Sequence, residues 1–497
     1  MKLFNFVLFI LLGIFSARPQ TVETNSARKL TLQDCIELAV EHNFEVRIER
    51  YGPEIRRFNL AAAYAIYDPV FEASATHNFN SREGGLNRVT GQRFPSSTTE
   101  NETLSGDLKG QAPTGLTYDF NSSLSHNTGS SLNRPFDFYE GQAGVSLRQP
   151  LLRNFWIDIG RQNILVAKKD LKISEAALAL QLMSVVNRVE QAYSDLIFAR
   201  ENIAVQDKAL QLADRLFVEN RRRVEVGALA PLDEKQAESQ LAISRADLLV
   251  ARQIYDAQEN LLKNLLTDNF REWSRVGIDP AEKLVAVPEK FDLVESWRRG
   301  VTERPELRQL KLDLERRDVI LRYQRNQLFP ALDLVGSYGR NGLDPQATGV
   351  LEDERRGNNP FYSYGVVLSF PLSNRGPRNL YHASKAEKAQ ALLRYKQLEQ
   401  NILVQIDDAI KTAQTTFQRV DATKKAREYA EAALDAEQKK MENGKSTSFV
   451  VLQLQRDLTA ARSAEIRALS DYNKALAQLA FNEGSTLEKN NLSLSTQ

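Results

Sequence analysis

Between Asn154 and Arg223 apolar residues recur at alternating spacings of three and four. Leu182, Val189, Leu196, Ile203, Leu210 and Phe217 form one row, with Leu178, Val185, Ala192, Ala199 and Ala213 on the row beside it. This is a coiled-coil seam. The stretch holds no Pro and, after Gly160, no Gly, so the pattern predicts one helix of roughly 105 Å at ~1.5 Å per residue. Lys168, Lys169, Asp170, Arg188, Glu190, Asp195, Arg200 and Asp207 interrupt it, which excludes a bilayer span. What remains is a water-facing rod whose narrow stripe must pack on other helices. Val226-Gly227-Ala228-Leu229-Ala230-Pro231 then reads as a hairpin turn, Gly suiting a helix end and Pro a helix start. A returning helix carries Leu241, Leu248, Tyr255 and Leu262 in heptad register, with Ala237, Ser244 and Ala251 alongside. The predicted hairpin spans 154–267, and the connector after it, 268–290, shows little regular pattern.

Ahead of the rod the period changes. Residues 20–29 are polar and read as loose. LTLQDCIELAVEHN, from Leu30, reads as a short helix with Thr31 as N-cap and Asp34 completing a capping box. A second helix through EIRRFNLAAAYAIY ends before Asp68-Pro69. Residues 70–149 then alternate at period two, most clearly over 70–79, 103–109, 115–125 and 139–147, with a tight turn at Gln111-Ala112-Pro113-Thr114-Gly115 and longer polar joins at 80–102 and 127–137. Short turns on one side and long loops on the other suit a transmembrane β-barrel. Tyr67, Phe71, Phe79, Phe136, Phe138 and Tyr139 cluster at strand ends, as an interfacial girdle would; packing inside a water-soluble sheet domain is the other reading.

The plan then repeats. FDLVESWRRGVTERPELRQL lies over LTLQDCIELAVEHNFEVRIE, and Phe329-Pro330 falls 261 residues after Asp68-Pro69. GVSLRQPL, ending at Leu151, recurs as GVVLSFPL, ending at Leu372, and the turn glycine Gly227 recurs as Gly444. Ordered matches of this kind indicate a tandem duplication. The copies are 30–267 and 291–482, the second with strands over 331–370 and a helical hairpin over 374–482, followed by a polar tail, 483–497, expected to be disordered. The first copy's strand region is 40 residues longer. Two strands per copy would be the base plan, with an added pair in the first. That suggests six strands per protomer, unless the surplus folds above a membrane.

Composition narrows the class. Lys and Arg number 65 against 64 Asp and Glu, a net charge of +1, which leaves no electrostatic footprint for nucleic acid. The lone Cys35 excludes an internal disulfide and CxxC chemistry. Lys2 followed by LFNFVLFILLGIF and Ser16-Ala17 predicts a secretory signal peptide over 1–17. No later segment is apolar enough for a transmembrane helix. His42, His77, His126 and His382 lack metal-ligand spacing, and no hydrolase, metalloprotease or nucleotide-binding fingerprint occurs. No cofactor, metal site or catalytic residue is expected.

These residues together resemble the TolC-like outer membrane efflux protein family. The resemblance covers about 30–482 and is carried by the LTLQDCIELAVEHN opening and its copy, the strand-to-helix junctions at Pro150 and Pro371, and the turns at Gly227 and Gly444. It implies a mainly α fold with a membrane β-barrel portion, in which three copies share one barrel and one tunnel of long helical hairpins; six strands per protomer would make eighteen per trimer, instead of the family's usual twelve. The location implied is the outer membrane, in contact with its lipid, with the helices in the periplasm. The expected partners are a periplasmic adaptor (membrane fusion protein) and an inner-membrane transporter, so the function is the exit duct of a tripartite efflux pump or type I secretion system. The implied gate or docking region is the two turns, with Arg221, Arg222, Arg223, Gly227, Asp233, Gly444, Ser446, Val450 and Gln453. Asp233 matches the family's locking acid, but its expected basic partner is Ser446, the expected tyrosine is Met441, and the expected acidic ring falls on Val450 and Gln453. The rival reading is a periplasmic coiled-coil adaptor or scaffold, which would leave the repeated strands idle.

Overall fold

The structure, a computed structural model, describes residues 28–86, 88–131, 134–357 and 359–492; the signal peptide expected over 1–17 lies outside the described residues. In chain order the elements are β1 (Arg28–Leu30), α1 (Leu32–His42), α2 (Phe44–Ala63), β2 (Val70–Arg82), β3 (Gly85–Leu86), β4 (Arg93–Phe94), β5 (Ser97–Gln111), β6 (Thr117–Ser131) and β7 (Arg134–Pro150). The long helices α3 (Ile159–Glu225) and α4 (Pro231–Leu266) follow, then α5 (Phe270–Trp273), β8 (Ile278–Pro280), α6 (Leu293–Glu303) and α7 (Pro305–Asn326). The chain closes with β9 (Ala331–Asp344), α8 (Ala347–Arg356), β10 (Pro360–Ser369), α9 (Arg375–Glu442), α10 (Ser448–Glu483) and α11 (Thr486–Lys489). Two compact units form. One takes the chain up to Asn43 with Arg188–Ala286 and Phe417–Lys474; the other takes Phe44–Asn187, Val287–Thr416 and the residues from Ala475 onward.

In the first unit the expected capping box is made: Asp34 N donates to Thr31 Oγ1 (3.2 Å) and Thr31 N to Asp34 Oδ2 (2.9 Å). The connector is more ordered than its pattern suggests. β8 pairs in parallel with β1, and the long helices fasten both. Tyr193 Oη donates to the Leu30 carbonyl (3.0 Å), Tyr255 Oη to that of Ile278 (2.7 Å), and Arg200 to the Asp279 carboxylate (3.0 Å). Strands of three residues carry no alternation to read, so Arg28–Leu30 and Ile278–Pro280 leave no mark in the pattern; of the stretch 20–29 expected to be loose, residues 20–27 lie outside the described residues. Cys35 is fully buried, and burial first, then Asp34 and Glu282, pushes its thiol up to about 12. At pH 8 the native protein is therefore expected to resist maleimide, and to react fully once guanidinium unfolds it; mass spectrometry of the labelled chain reads this directly.

The second unit holds a six-stranded antiparallel sheet in the order β10-β9-β7-β6-β5-β2. The polar joins expected at 80–102 and 127–137 are largely strand: β2 and β5 pair over Val70–Arg82, and β6 and β7 over Thr117–Ser131. Their Ser, Thr and Asn side chains hold one another across strands, as Asn101 does Asn127 (2.7 Å) and Thr103 does Ser125 (2.9 Å). Polar strands of this kind look like loops in a hydropathy pattern. The turn between β5 and β6 sits at the strand-to-helix junction, where Gln149 Nε2 donates to the Thr114 carbonyl (3.2 Å). The added strands therefore run the full height of the sheet between β2 and β7.

Other expectations in this unit need correction. The helix expected from Asn154 starts at Ile159, because Asp158 accepts from Arg161 N (2.8 Å) and caps it there. The region 331–370 contains α8 as well as strands. Val350 of α8 is fully buried over Gly141 and Gly342, where an added Cβ would lie 2.4 and 2.8 Å from its Cγ1. The tail is ordered at least to Leu492, with Thr486 of α11 fully buried. A core of Leu307, Ile402, Ile406, Ala409, Ile410 and Leu479 supports the sheet-bearing unit.

Candidate functional site

Two features stand out as places where this fold can act: the sheet in the second unit and the helical turns in the first. The strand pairs are continuous, so side chains sort strictly between two faces. One face carries Phe71, Ala73 and Ala75 on β2, Leu104 and Leu108 on β5, Tyr118, Phe120 and Leu124 on β6, Ala143, Val145 and Leu147 on β7, and further apolar positions on β9 and β10. Much of it is bare, Tyr364 being 85% exposed and Phe71 70%. Toward the hairpin-loop end this face turns polar. Glu102 sits between His77 (3.4 Å) and His126 (3.8 Å), and Asp137 is 2.8 Å from His126. Sequence spacing had not brought these groups together. Among the described residues, no group of His, Cys, Asp and Glu is arranged to hold a metal.

The opposite face is built of small uncharged polar residues, including Ser74, Thr76, Asn101, Thr103, Ser105, Asn121, Ser123, Ser125, Ser337 and Ser363. Charges stand at several heights on it: Arg148 is bound to Asp333 and Lys109 lies 3.3 Å from Asp107 and 3.5 Å from Glu72 near the junction end, Glu140 is at mid-height, and Arg82 and Arg134 are at the loop end. Phe136 and Phe138 fall on this polar face by register, so they do not belong to an apolar girdle. Pro150 ends β7, and Pro371 stands between β10 and α9. Beyond each, an Asn takes a left-handed backbone, Asn154 and Asn374. Asn154 N donates to Asn326 Oδ1 (2.6 Å), and Asn374 Nδ2 to the Leu328 carbonyl (3.2 Å). Both strand-to-helix corners are therefore anchored on the end of α7.

At the helical turns Gly227 and Gly444 have φ of +74° and +70°, with nothing within 4 Å of an added Cβ. Glycine is required there by backbone conformation and not by crowding. Asp233 spends its carboxylate on the Ala230 N–H (3.3 Å), closing the start of α4. Arg223 pairs with Glu219 and Arg221 with Glu225, both within α3. Ser446 Oγ donates to Glu437 (2.6 Å), and this hydroxyl, followed by the Lys440 ammonium, holds the Glu437 carboxyl below the usual range. Val450 and Gln453 are exposed, while Met441 is buried with Leu216, Leu434, Val451, Leu452 and Leu458.

The α3–α10 contact includes Ser463–Asn202, Ser470–Ser194 and Lys474–Asp195, and beside the turns it is closed by Asn220, a residue that the sequence reading passed over. Asn220, 1% exposed, donates from Nδ2 to Ser448 Oγ and to the Asp233 carbonyl (3.3 Å), while its Oδ1 has no partner. It thus joins α3 to the first turns of both α4 and α10. The signal was present: Asn220 stands seven residues after Ala213 on the apolar row, and a buried Asn in such a row sets register at a cost in stability.

Comparison with known proteins places this geometry. The model of the outer membrane efflux protein family matches residues 111–267 and 301–485. Nodulation protein T of Rhizobium leguminosarum bv. trifolii is 22% identical over 339 residues, covering 66% of this chain and 69% of that protein. The pyoverdine export outer membrane protein OpmQ of Pseudomonas aeruginosa is 23% identical over 373 residues, covering 72% and 69%. Among solved structures, the CmeC outer membrane channel of Campylobacter jejuni superposes with a TM-score of 0.66 at 16% identity, over 99% of both chains.

Proposed function

The chain belongs to the outer membrane efflux protein family, and from that premise we propose that it is a passive exit duct set in the outer membrane, with its helical hairpins in the periplasm. It is a conduit and not an enzyme, so the energy for transport comes from elsewhere. The observation that carries the reading is the sheet: one face apolar and bare, the other polar, and both edge strands, β2 and β10, unpaired on their outer sides among the described residues. Lipid tolerates no open strand edge, so copies must close the wall together. Three copies are the assembly the family resemblance implies. A periplasmic adaptor and an inner-membrane transporter complete the pump.

The reading is tested by fractionation and planar-bilayer recording. The protein stays with outer membranes through a carbonate wash and forms discrete channels. A scaffold would be washed off and conduct nothing.

Control of the duct is assigned to the helical turns, with Arg221, Arg222, Arg223, Asp233 and Ser446 around them and Asn220 as the bond between hairpins nearest to them. Asp233→Ala removes a cap worth about 1 kcal/mol and should fray α4 without freeing the hairpins. Asn220→Leu removes both donated hydrogen bonds, each worth about 1 kcal/mol, and should raise resting conductance and sensitivity to bulky antibiotics several-fold. Equal leakage from both variants would remove Asn220 from the gate.

A further inference from the structure

From the sheet we infer the width and lining of the bore through the outer membrane: a wall of eighteen strands, mostly polar inside and wide enough to admit a polypeptide helical hairpin. This rests on the exit-duct reading above and extends it to the size and lining of the bore. Each copy contributes six full-height strands, and closure takes whole copies, so the strand number is a multiple of six. For the three-copy assembly it is eighteen.

Strand number sets width. With strands about 4.8 Å apart and tilted by about 40°, eighteen strands close at a backbone diameter of about 36 Å, against about 24 Å for twelve. The lining is a mixture: Phe136, Phe138, Glu140 and Phe361 stand on it, the Phe361 ring lying over Gly144 and Gly339, and most of the rest is small. Ser74, Ser105, Ser123, Ser125, Ser337 and Ser363 are small, and several are hydrogen-bonded to a cross-strand neighbour, as Ser74 to Ser105 and Ser337 to Ser363 (both 2.8 Å). Such side chains lie along the wall instead of reaching into the lumen. α8 does not plug the bore either, because Gly141 and Gly342, over which it packs, belong to the apolar face by register. Allowing about 5 Å of side chain on each side leaves a free bore of about 26 Å, roughly three times the open area of a twelve-strand wall. Two packed helices, each about 10 Å across, fit the first and not the second.

The lining also defines selectivity. Through its middle the polar face offers hydroxyls and amides together with one exposed carboxylate per copy, Glu140, in register with Ser125 and Thr103, while Glu72, Asp107, Lys109 and Asp119 stand near the junction end. The wall therefore favours hydrophilic cargo over apolar cargo, and its fixed mid-height charge is negative.

The test is polymer exclusion on the full chain in planar bilayers, with polyethylene glycols added on the strand-loop side so that the helical turns do not filter them. Polymers of about 10 Å hydrodynamic radius should enter and lower the conductance, whereas a twelve-strand bore of about 7 Å radius would exclude them. Electron cryomicroscopy of the same protein in lipid nanodiscs should count eighteen strands. A variant lacking residues 97–131, which leaves β2 to pair antiparallel with β7, should close at twelve strands, lose about two-thirds of its barrel-limited conductance and exclude the same polymers. Should that variant not assemble, the full-chain measurements still decide. Twelve strands in the full chain, whether from two copies or from β5 and β6 lying outside the wall, overturns the inference and leaves a working duct. Absence of any channel overturns the duct reading itself.

Discussion

Phe120→Arg is expected to abolish the assembled channel, whereas Asn121→Arg, one residue along, is expected to preserve it. Phe120 lies on the bare apolar face, in register with Leu108 and Val145; Asn121 lies on the polar face with Asp107 and Gly144. An arginine held against hydrocarbon costs about 2–4 kcal/mol near the bilayer midplane. Every copy carries the change, so for three copies the cost reaches about 6–12 kcal/mol, comparable to the whole stability of a folded domain. The Phe120→Arg chain should be missing from carbonate-washed membranes and should run only as monomer on mild detergent gels. Asn121→Arg adds a cation to a polar lining. It should assemble normally, lower single-channel conductance and shift selectivity toward anions. The opposite pattern would mean that the faces are exchanged, and with them the assignment of wall and lumen.

The long helices were legible because a heptad row over seventy residues is a strong signal that tertiary contacts reinforce. Val189, Leu196 and Leu262, all placed on the seam by spacing alone, are fully buried. The strands were legible in kind but not in extent. Their polar face is Ser, Thr and Asn, the residues that also mark loops, so only the apolar alternate positions showed, and the strand ends past Phe79 and Ser125 were lost. Short paired elements were invisible for a different reason. β1 and β8 exist because Tyr193 and Tyr255, far off in the chain, hold their carbonyls, and no local pattern records that. At the turns, residue types were read correctly but their partners were not. Asp233 and Arg223 find partners within a few residues, and the bond between hairpins nearest the turns is made by Asn220, whose polarity on an apolar row was the clue.

The largest effect on assembly is expected from α2. Phe44, Ile48, Tyr51, Ile55 and Phe58 repeat at spacings of four and three and are all between 55% and 67% exposed. This is a coiled-coil stripe that no helix covers among the described residues, on the unit whose sheet has two open edges. A second stripe, Ile243, Val250, Ile254 and Leu261 on α4, is bare in the same way. A helix that shows such a seam to water gains nothing from it, so the stripe is assigned to a second copy. Burying one isoleucine side chain is worth about 1.5–3 kcal/mol, and placing a carboxylate there adds desolvation. Ile48→Glu with Ile55→Glu should therefore remove at least about 3–6 kcal/mol of association per copy and leave the protomer intact, since neither side chain packs inside it. Native mass measurement should show monomer where the unaltered chain shows trimer, with an unchanged far-ultraviolet circular dichroism spectrum. If the trimer survives, the seam is not between copies; flotation of the variant with outer-membrane lipid vesicles then tells whether lipid covers it. The wall and the seam are independent requirements, because one closes strand edges and the other pairs helices. Loss of either should leave folded protomers that cannot conduct.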